Sequence, residues 1–340
     1  MELRKRSGHE IDMKMCMMGP KGVGKTSILT SIFSGTQSDL IRTNLSIRAQ
    51  GTTQTEIEKK EYLFQKIFAD RESISDRPAN GQLSSSEVST FDFQFGLKGK
   101  PSKVNLCIKD FPGEYVKTHP DEVISFIDDS SAILIAIDTP HLMEQNGKYA
   151  DVKNQIETIT SFFATSFSKL ESDKLVMLVP LKCEKYFYEK NMQDVMKKVE
   201  EEYASLINFF RAKRNVACAI TPILTLGGVV FSHFSEQLND DGVPAEVVYK
   251  FYEDNPAYSP AFCAQPLYYV LSFAAAQYQK NKRNLRGLNK ILSSLYQLFE
   301  NDKDLYKEIL KMNKFRLVDK PELGYKLICG EEHTTVDTSI

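Results

Sequence analysis

Nine consecutive residues, Gly19-Pro20-Lys21-Gly22-Val23-Gly24-Lys25-Thr26-Ser27, limit what this chain can fold into more than any other stretch. They match G-x-x-x-x-G-K-[ST] at Gly19, Gly24, Lys25 and Thr26. An apolar run at 13–18 precedes them and a helical pattern starts at Lys25, so the order is strand, glycine loop, helix. Glycines let backbone N–H groups turn inward around phosphate oxygens, and the following helix offers the positive end of its dipole. In that arrangement Lys25 neutralises the β- and γ-phosphates and the Thr26 hydroxyl ligates Mg²⁺. A turn that only starts a helix has no use for the Lys25-Thr26 pair. Residues 19–27 are therefore expected to line a nucleoside-triphosphate site.

A phosphate loop needs a sheet to carry it. Further strands are expected at 90–97, 104–109, 132–137, 175–179 and 216–226, most of them short continuous apolar runs of the kind covered on both faces. Helical patterns at 122–127, 149–170 and 192–210 separate several of them. Strand–helix alternation predicts an α/β fold with a doubly wound, mostly parallel sheet. Runs 90–97 and 104–109, joined by Lys98-Gly99-Lys100-Pro101, read as a hairpin that adds one antiparallel edge strand. Residues 36–88 form an insertion after the first helix, with apolar helical spacing at Ile57, Phe64, Ile67 and Phe68 and a capping box at Thr53-x-x-Glu56. Residues 71–89 are polar and rich in Ser, and read as a mobile loop. Residues 285–313 read as two amphipathic helices, with stripes Leu288, Leu292, Leu295, Phe299 and Leu305, Ile309, Met312. The division expected is a nucleotide-binding domain at 12–280 and a helical extension at 281–340.

Composition enters as a filter. With 43 Lys and Arg against 45 Asp and Glu, the formal net charge is −2, and bulk attraction to nucleic acid is not expected. No secretory signal or transmembrane run is read from the sequence. The six cysteines are scattered without a C-x-x-C pair, which suits reduced thiols in a cytoplasmic protein better than zinc or disulfides. The five histidines show no metal spacing, and Asn239-Asp240-Asp241-Gly242 is a turn without the ligand ladder of a calcium loop.

The metal at a triphosphate also needs a carboxylate from a second strand. Asp110 opens Asp110-Phe111-Pro112-Gly113-Glu114, a D-x-x-G arrangement in which Asp reaches the metal shell and the Gly N–H meets the γ-phosphate. Asp138, in Asp138-Thr139-Pro140, more simply ends a strand and caps the segment after it, though it keeps an ATPase reading open.

Over residues 12–280 these motifs resemble the translation-factor-related (TRAFAC) class of P-loop GTPases, and within it the bacterial double-GTPase proteins of signalling and conflict gene clusters. The resemblance implies a Ras-like fold, GTP and GDP as ligands, Mg²⁺ as cofactor, and slow hydrolysis of GTP; a protein effector or activator, or self-association, is expected to accelerate that turnover. It places a base-reading motif in Val179-Pro180-Leu181-Lys182-Cys183-Glu184-Lys185, where Lys182 lies along a purine face and Glu184 accepts from guanine N1–H and N2–H. Leu181 stands where the family has Asn or Thr. Near Thr225-Leu226-Gly227 a backbone N–H at Leu226 meets guanine O6. Glu114 takes the place of a water-orienting Gln, beside Gly113. The switch hydroxyl that ligates Mg²⁺ is sought at Ser84, Ser85, Ser86 or Thr90, with Ser85 first. No Arg is placed as a finger in cis, and Lys21 either supplies charge at the phosphates or faces solvent.

Two other readings compete with a GTP-hydrolysing switch. One is a P-loop ATPase or small-molecule kinase, against which the absence of clustered Arg at 140–215 counts. The other is a degenerate scaffold that holds nucleotide without hydrolysing it.

Overall fold

Met13, Met15 and Met17 face one side of the first strand, Cys16 and Met18 the other, and all five are buried. A strand with two apolar faces must sit inside a sheet covered on both sides. The computed structural model describes residues 11–337 apart from 21, 42, 71–73, 76–87, 113–114, 168–171, 255 and 282–296.

Among the described residues the main sheet contains β1 (Ile11–Met18), β2 (Leu45–Ala49), β4 (Ser89–Leu97), β5 (Val104–Asp110), β6 (Ala132–Asp138), β7 (Lys174–Leu181), β8 (Val216–Ile220) and β11 (Lys326–Cys329). Their spatial order is β11-β8-β7-β6-β1-β5-β4-β2. The run β8-β7-β6-β1-β5 is parallel throughout, whereas β4, β2 and β11 join by antiparallel ladders. The expected mostly parallel, doubly wound sheet is the one observed. It runs further at both edges than the hairpin alone predicts.

Burial follows the sequence pattern. Every residue of β6, β7 and β8 is buried, as continuous apolar runs require, while β5 alternates buried and half-buried positions. One face packs against the helices Lys25–Leu40 and Gln265–Asn281, the other against Pro120–Asp129, Ile156–Ser166 and Ala204–Arg211. Three of the expected elements end differently. The pattern at 149–170 becomes Ala150–Asn154 and Ile156–Ser166, broken at Gln155, whose φ of 54° is left-handed. The pattern at 192–210 becomes Met192–Glu202 and Ala204–Arg211, broken at the buried Tyr203. The run 216–226 stops as a strand at Ile220, because Pro222 has no N–H for a ladder.

The segment 36–88 is more integrated than its polarity suggests. Its start completes the first helix and then supplies β2, which pairs with β4. The helix Thr52–Asp70 follows the left-handed turn at Gly51 (φ 52°). Thr53 is not its cap: the residue lies inside the helix, and its buried hydroxyl accepts the Asp92 backbone N–H at 2.9 Å. That bond pins the helix to β4. The loop expected at 71–89 lies largely outside the described residues.

A second sheet, of order β3-β10-β9, is formed by β3 (Ile74–Ser75), β9 (Val229–Phe234) and β10 (Val247–Phe251). Of the expected helices at 285–313, the first lies outside the described residues up to 296, with helical residues from 297 and a buried Phe299, and the second is Lys303–Met312 with Leu305, Ile309 and Met312 all buried. The extension also delivers β11 to the main sheet, antiparallel to β8.

Candidate functional site

The loop after β1 turns on glycines. Gly19, Gly22 and Gly24 have φ of 147°, 75° and 104°, values that L side chains rarely adopt. Gly19 is also demanded by space: an added β-carbon would lie 2.8 Å from the Ala136 carbonyl oxygen on β6. The loop is thus pressed against the carboxyl ends of the central strands, where open α/β sheets bind their ligands. Lys25, the first residue of its helix, is buried, and its Nζ donates to the Gly19 and Pro20 carbonyls at 2.9 and 3.2 Å.

Asp110 ends β5 beside Met17 of β1, so the parallel register carries its carboxylate to the same loop. Its Oδ1 stands 3.8 Å from Lys25 Nζ and, although buried, has no hydrogen-bond partner among the described residues. Burial raises the Asp110 carboxyl to about 6 against the pull of Lys25, and burial lowers the Lys25 ammonium against the pull of Asp110. Desolvation outweighs attraction on both partners. An acidic oxygen left in this way fits a cation, so Asp110 is suited to hold Mg²⁺.

The other candidate carboxylate is already spent. Asp138 is fully buried; its Oδ1 contacts His141 Nδ1 at 2.6 Å and accepts the His141 N–H at 3.2 Å, while Oδ2 accepts from Lys182 Nζ at 2.9 Å. Burial alone would raise this carboxyl, yet Lys182, His141 and Lys153 hold it well below the usual carboxylate range. Both oxygens serve the protein, which removes Asp138 as a metal ligand. Its backbone N–H is bound by Asn154 Oδ1 at 2.7 Å.

At the loop expected to read the base, Lys182 has a left-handed φ of 57° and Glu184 starts the short helix Glu184–Tyr188. A non-glycine residue held there costs about 1–3 kcal/mol, and such strain clusters at functional sites. Glu184 is buried, and its Oε1 accepts the Leu226 backbone N–H at 3.1 Å. Burial raises its carboxyl, countered by backbone N–H groups at Leu226, Gly227 and Thr225. The loop 225–227 is further fixed by Ser31 Oγ donating to the Thr225 carbonyl at 3.2 Å. Gly227 is obligatory, since an added β-carbon would lie 2.1 Å from Ser259 O.

The fold thus gathers Gly19, Lys25 and Asp110 at one end of the sheet, joins Glu184 to Leu226, and ties Lys182 to Asp138. Thr90 pairs with Lys109 in the β4–β5 ladder. Lys21, Ser84, Ser85, Ser86, Gly113 and Glu114 lie outside the described residues, as does the Thr26 side chain. His141, Lys153, Asn154 and Tyr249 were not legible as site residues. They come from a helix turn, a short helix and a hairpin that carry no motif, and only the folded chain puts them beside Asp138 and Lys182.

A glycine cradle on a parallel sheet, with a buried lysine and a neighbouring strand's carboxylate, defines a P-loop nucleotide-binding domain of the GTPase kind. The chain belongs to the Double-GTPase 2 family, whose pattern it matches over residues 15–218. No curated protein sequence matches it significantly. Among solved structures it is similar to the GTPase-like domain of S. cerevisiae Ski7 bound to GTP, at 15% identity and TM-score 0.44, covering 84% of this chain and 52% of that one. The same Ski7 domain with GDP and inorganic phosphate gives 14% and 0.42. Sup35 complexed with GDP gives 11% and 0.30, covering 72% and 44%. The chain spans about half the length of these proteins.

Proposed function

We propose that this chain binds GTP at the loop 19–27, hydrolyses it to GDP and phosphate with Mg²⁺, and works as a switch whose turnover is slow until a protein partner engages it. The observation that supports this most directly is the Asp110 carboxylate, buried without a hydrogen-bond partner 3.8 Å from Lys25. Such a pair is poised for a ligand that brings both negative charge and a metal cation. Loop amides and Lys25 hold the β- and γ-phosphates; Thr26 and Asp110 hold Mg²⁺, with Ser85 as the switch hydroxyl. Bound Mg²⁺ neutralises charge on the transferring phosphoryl group.

In this reading Glu114 orients the attacking water and the Gly113 N–H meets the γ-phosphate. Water adds to phosphorus, the bond to the β-phosphate oxygen breaks, and the water proton leaves with phosphate. Lys182 and Glu184 read guanine with the Leu226 N–H. An ATPase using Asp138 is disfavoured because both oxygens of that carboxylate are engaged.

The test is isothermal titration with GDP and ATP, followed by single-turnover phosphate release from GTP. Expected are a preference for the guanine nucleotide, a loss of about a hundredfold in Lys25→Ala, and phosphate release that needs Mg²⁺. Tight nucleotide binding without phosphate release over hours would turn the assignment to a scaffold. Unchanged binding by Lys25→Ala would end it.

A further inference from the structure

The sequence offers no arginine finger in cis, but the folded chain brings another cation to the phosphate loop. Lys153 stands on the helix Ala150–Asn154, which follows β6 after the short helix Thr139–Met143 and a 3-10 turn at Glu144–Gly147. A β-carbon placed on Gly22 would come 4.0 Å from the Lys153 Nζ, so the ammonium lies alongside the cradle. Gly22 is the middle of the three left-handed glycines, at the part of the loop that wraps a diphosphate.

The position of Lys153 is enforced from within. Its neighbour Asn154 is fully buried and grips the backbone of Asp138 twice, accepting the Asp138 N–H at 2.7 Å and donating to the Asp138 carbonyl at 3.4 Å. The helix then ends on the left-handed Gln155, whose N–H returns to the Asp151 carbonyl. Asn154 therefore fixes the helix to the end of β6, the strand on which Gly19 also rests through Ala136.

Charge counting gives Lys153 a purpose. Lys25 faces Asp110 at 3.8 Å and Lys182 faces Asp138 at 2.9 Å, while Lys153 acts on Asp138 only as a further source of positive charge. Lys153 is in neither of those two close pairs, and its ammonium lies at the loop where a nucleotide would place several negative charges. We propose that Lys153 is a second phosphate-binding lysine, reaching the diphosphate of a bound nucleotide from outside the glycine loop and positioned by Asn154. This rests on reading the loop 19–27 as the nucleotide site.

The experiment is binding of fluorescently labelled GDP to wild type, Lys25→Ala, Lys153→Gln and Lys153→Arg, with thermal unfolding of each nucleotide-free protein alongside. Lys153→Gln is expected to weaken GDP about tenfold and to flatten the salt dependence of binding, and Lys153→Arg to recover most of the affinity. The nucleotide-free unfolding temperature should stay put, which separates a ligand contact from a structural one. If Lys153→Gln lowers it, the comparison moves to a temperature where that variant and Lys153→Arg are both folded, and the affinity difference should persist. Equal GDP affinity in wild type, Lys153→Gln and Lys153→Arg would overturn the proposal while leaving the loop assignment intact. Failure of wild type to bind GDP would overturn both.

Discussion

Glu184 accepts the backbone N–H of Leu226 at 3.1 Å, joining two loops that leave the ends of neighbouring strands β7 and β8. The bond ties the carboxylate proposed to read guanine to the amide proposed to meet its O6, so a bound base must displace it. Glu184→Ala should therefore loosen the loop 225–227 as well as remove an acceptor. GDP affinity is expected to drop at least about tenfold, with ATP affinity nearly unchanged. Competition titration of the two nucleotides checks this, and an unaltered guanine preference would count against the assignment.

Asp110 predicts a pH dependence of the nucleotide-free protein. Its folded carboxyl sits at about 6, above its ordinary value of 3.8. The stabilising contribution of this group is thus complete below about 3.8 and is lost as pH rises through about 6. Asp110→Asn should stabilise the nucleotide-free chain at neutral pH by at most about 3 kcal/mol, and should flatten that stretch of the profile. It should also abolish the Mg²⁺-dependent part of nucleotide affinity. Denaturant titrations with chelator between pH 4 and 8 measure the first effect.

Asp138 predicts the opposite slope. Its carboxyl is held low, so its contribution is present above the ordinary carboxylate value and is lost as acid protonates the folded form. Asp138→Ala strands Lys182 beside a vacated buried partner and should cost about 3–5 kcal/mol. A smaller loss in chemical unfolding would mean that Lys182 finds another acceptor.

Gly227→Ala tests the loop 225–227, proposed to meet the base, without touching a polar group. The new methyl would collide with the Ser259 backbone at 2.1 Å, and φ is 73° there. A loss of about 2 kcal/mol or more is expected, together with weaker nucleotide binding. Thermal unfolding and GDP titration on the same sample report both.

The central sheet was legible because the buried strands read as unbroken apolar runs, and the turn after β1 because Gly19 and Gly24, both at positive φ, announce it ahead of the buried Lys25. The features that escaped were non-local. β2 is five residues long, half-buried, and defined only by its ladder with β4; β11 has no fully buried residue and is defined only by pairing with β8. Thr53 reads locally as a cap, and its real partner, Asp92, lies on another element. Two continuous helix patterns broke at Gln155 and Tyr203, where local periodicity does not show that Asn154 is claimed by Asp138 or that Tyr203 is fully buried. Asp138 and Asp110 look alike as strand-end carboxylates, and only the positions of Lys182 and His141 tell them apart.

The pairing of β11 with β8 has a bearing on synthesis and truncation. Until Lys326–Cys329 is in place, β8 offers a row of open N–H and C=O groups along the rim of an otherwise completed sheet. A polypeptide halted before Lys326 would carry that rim as a template for another strand, and should self-associate through it.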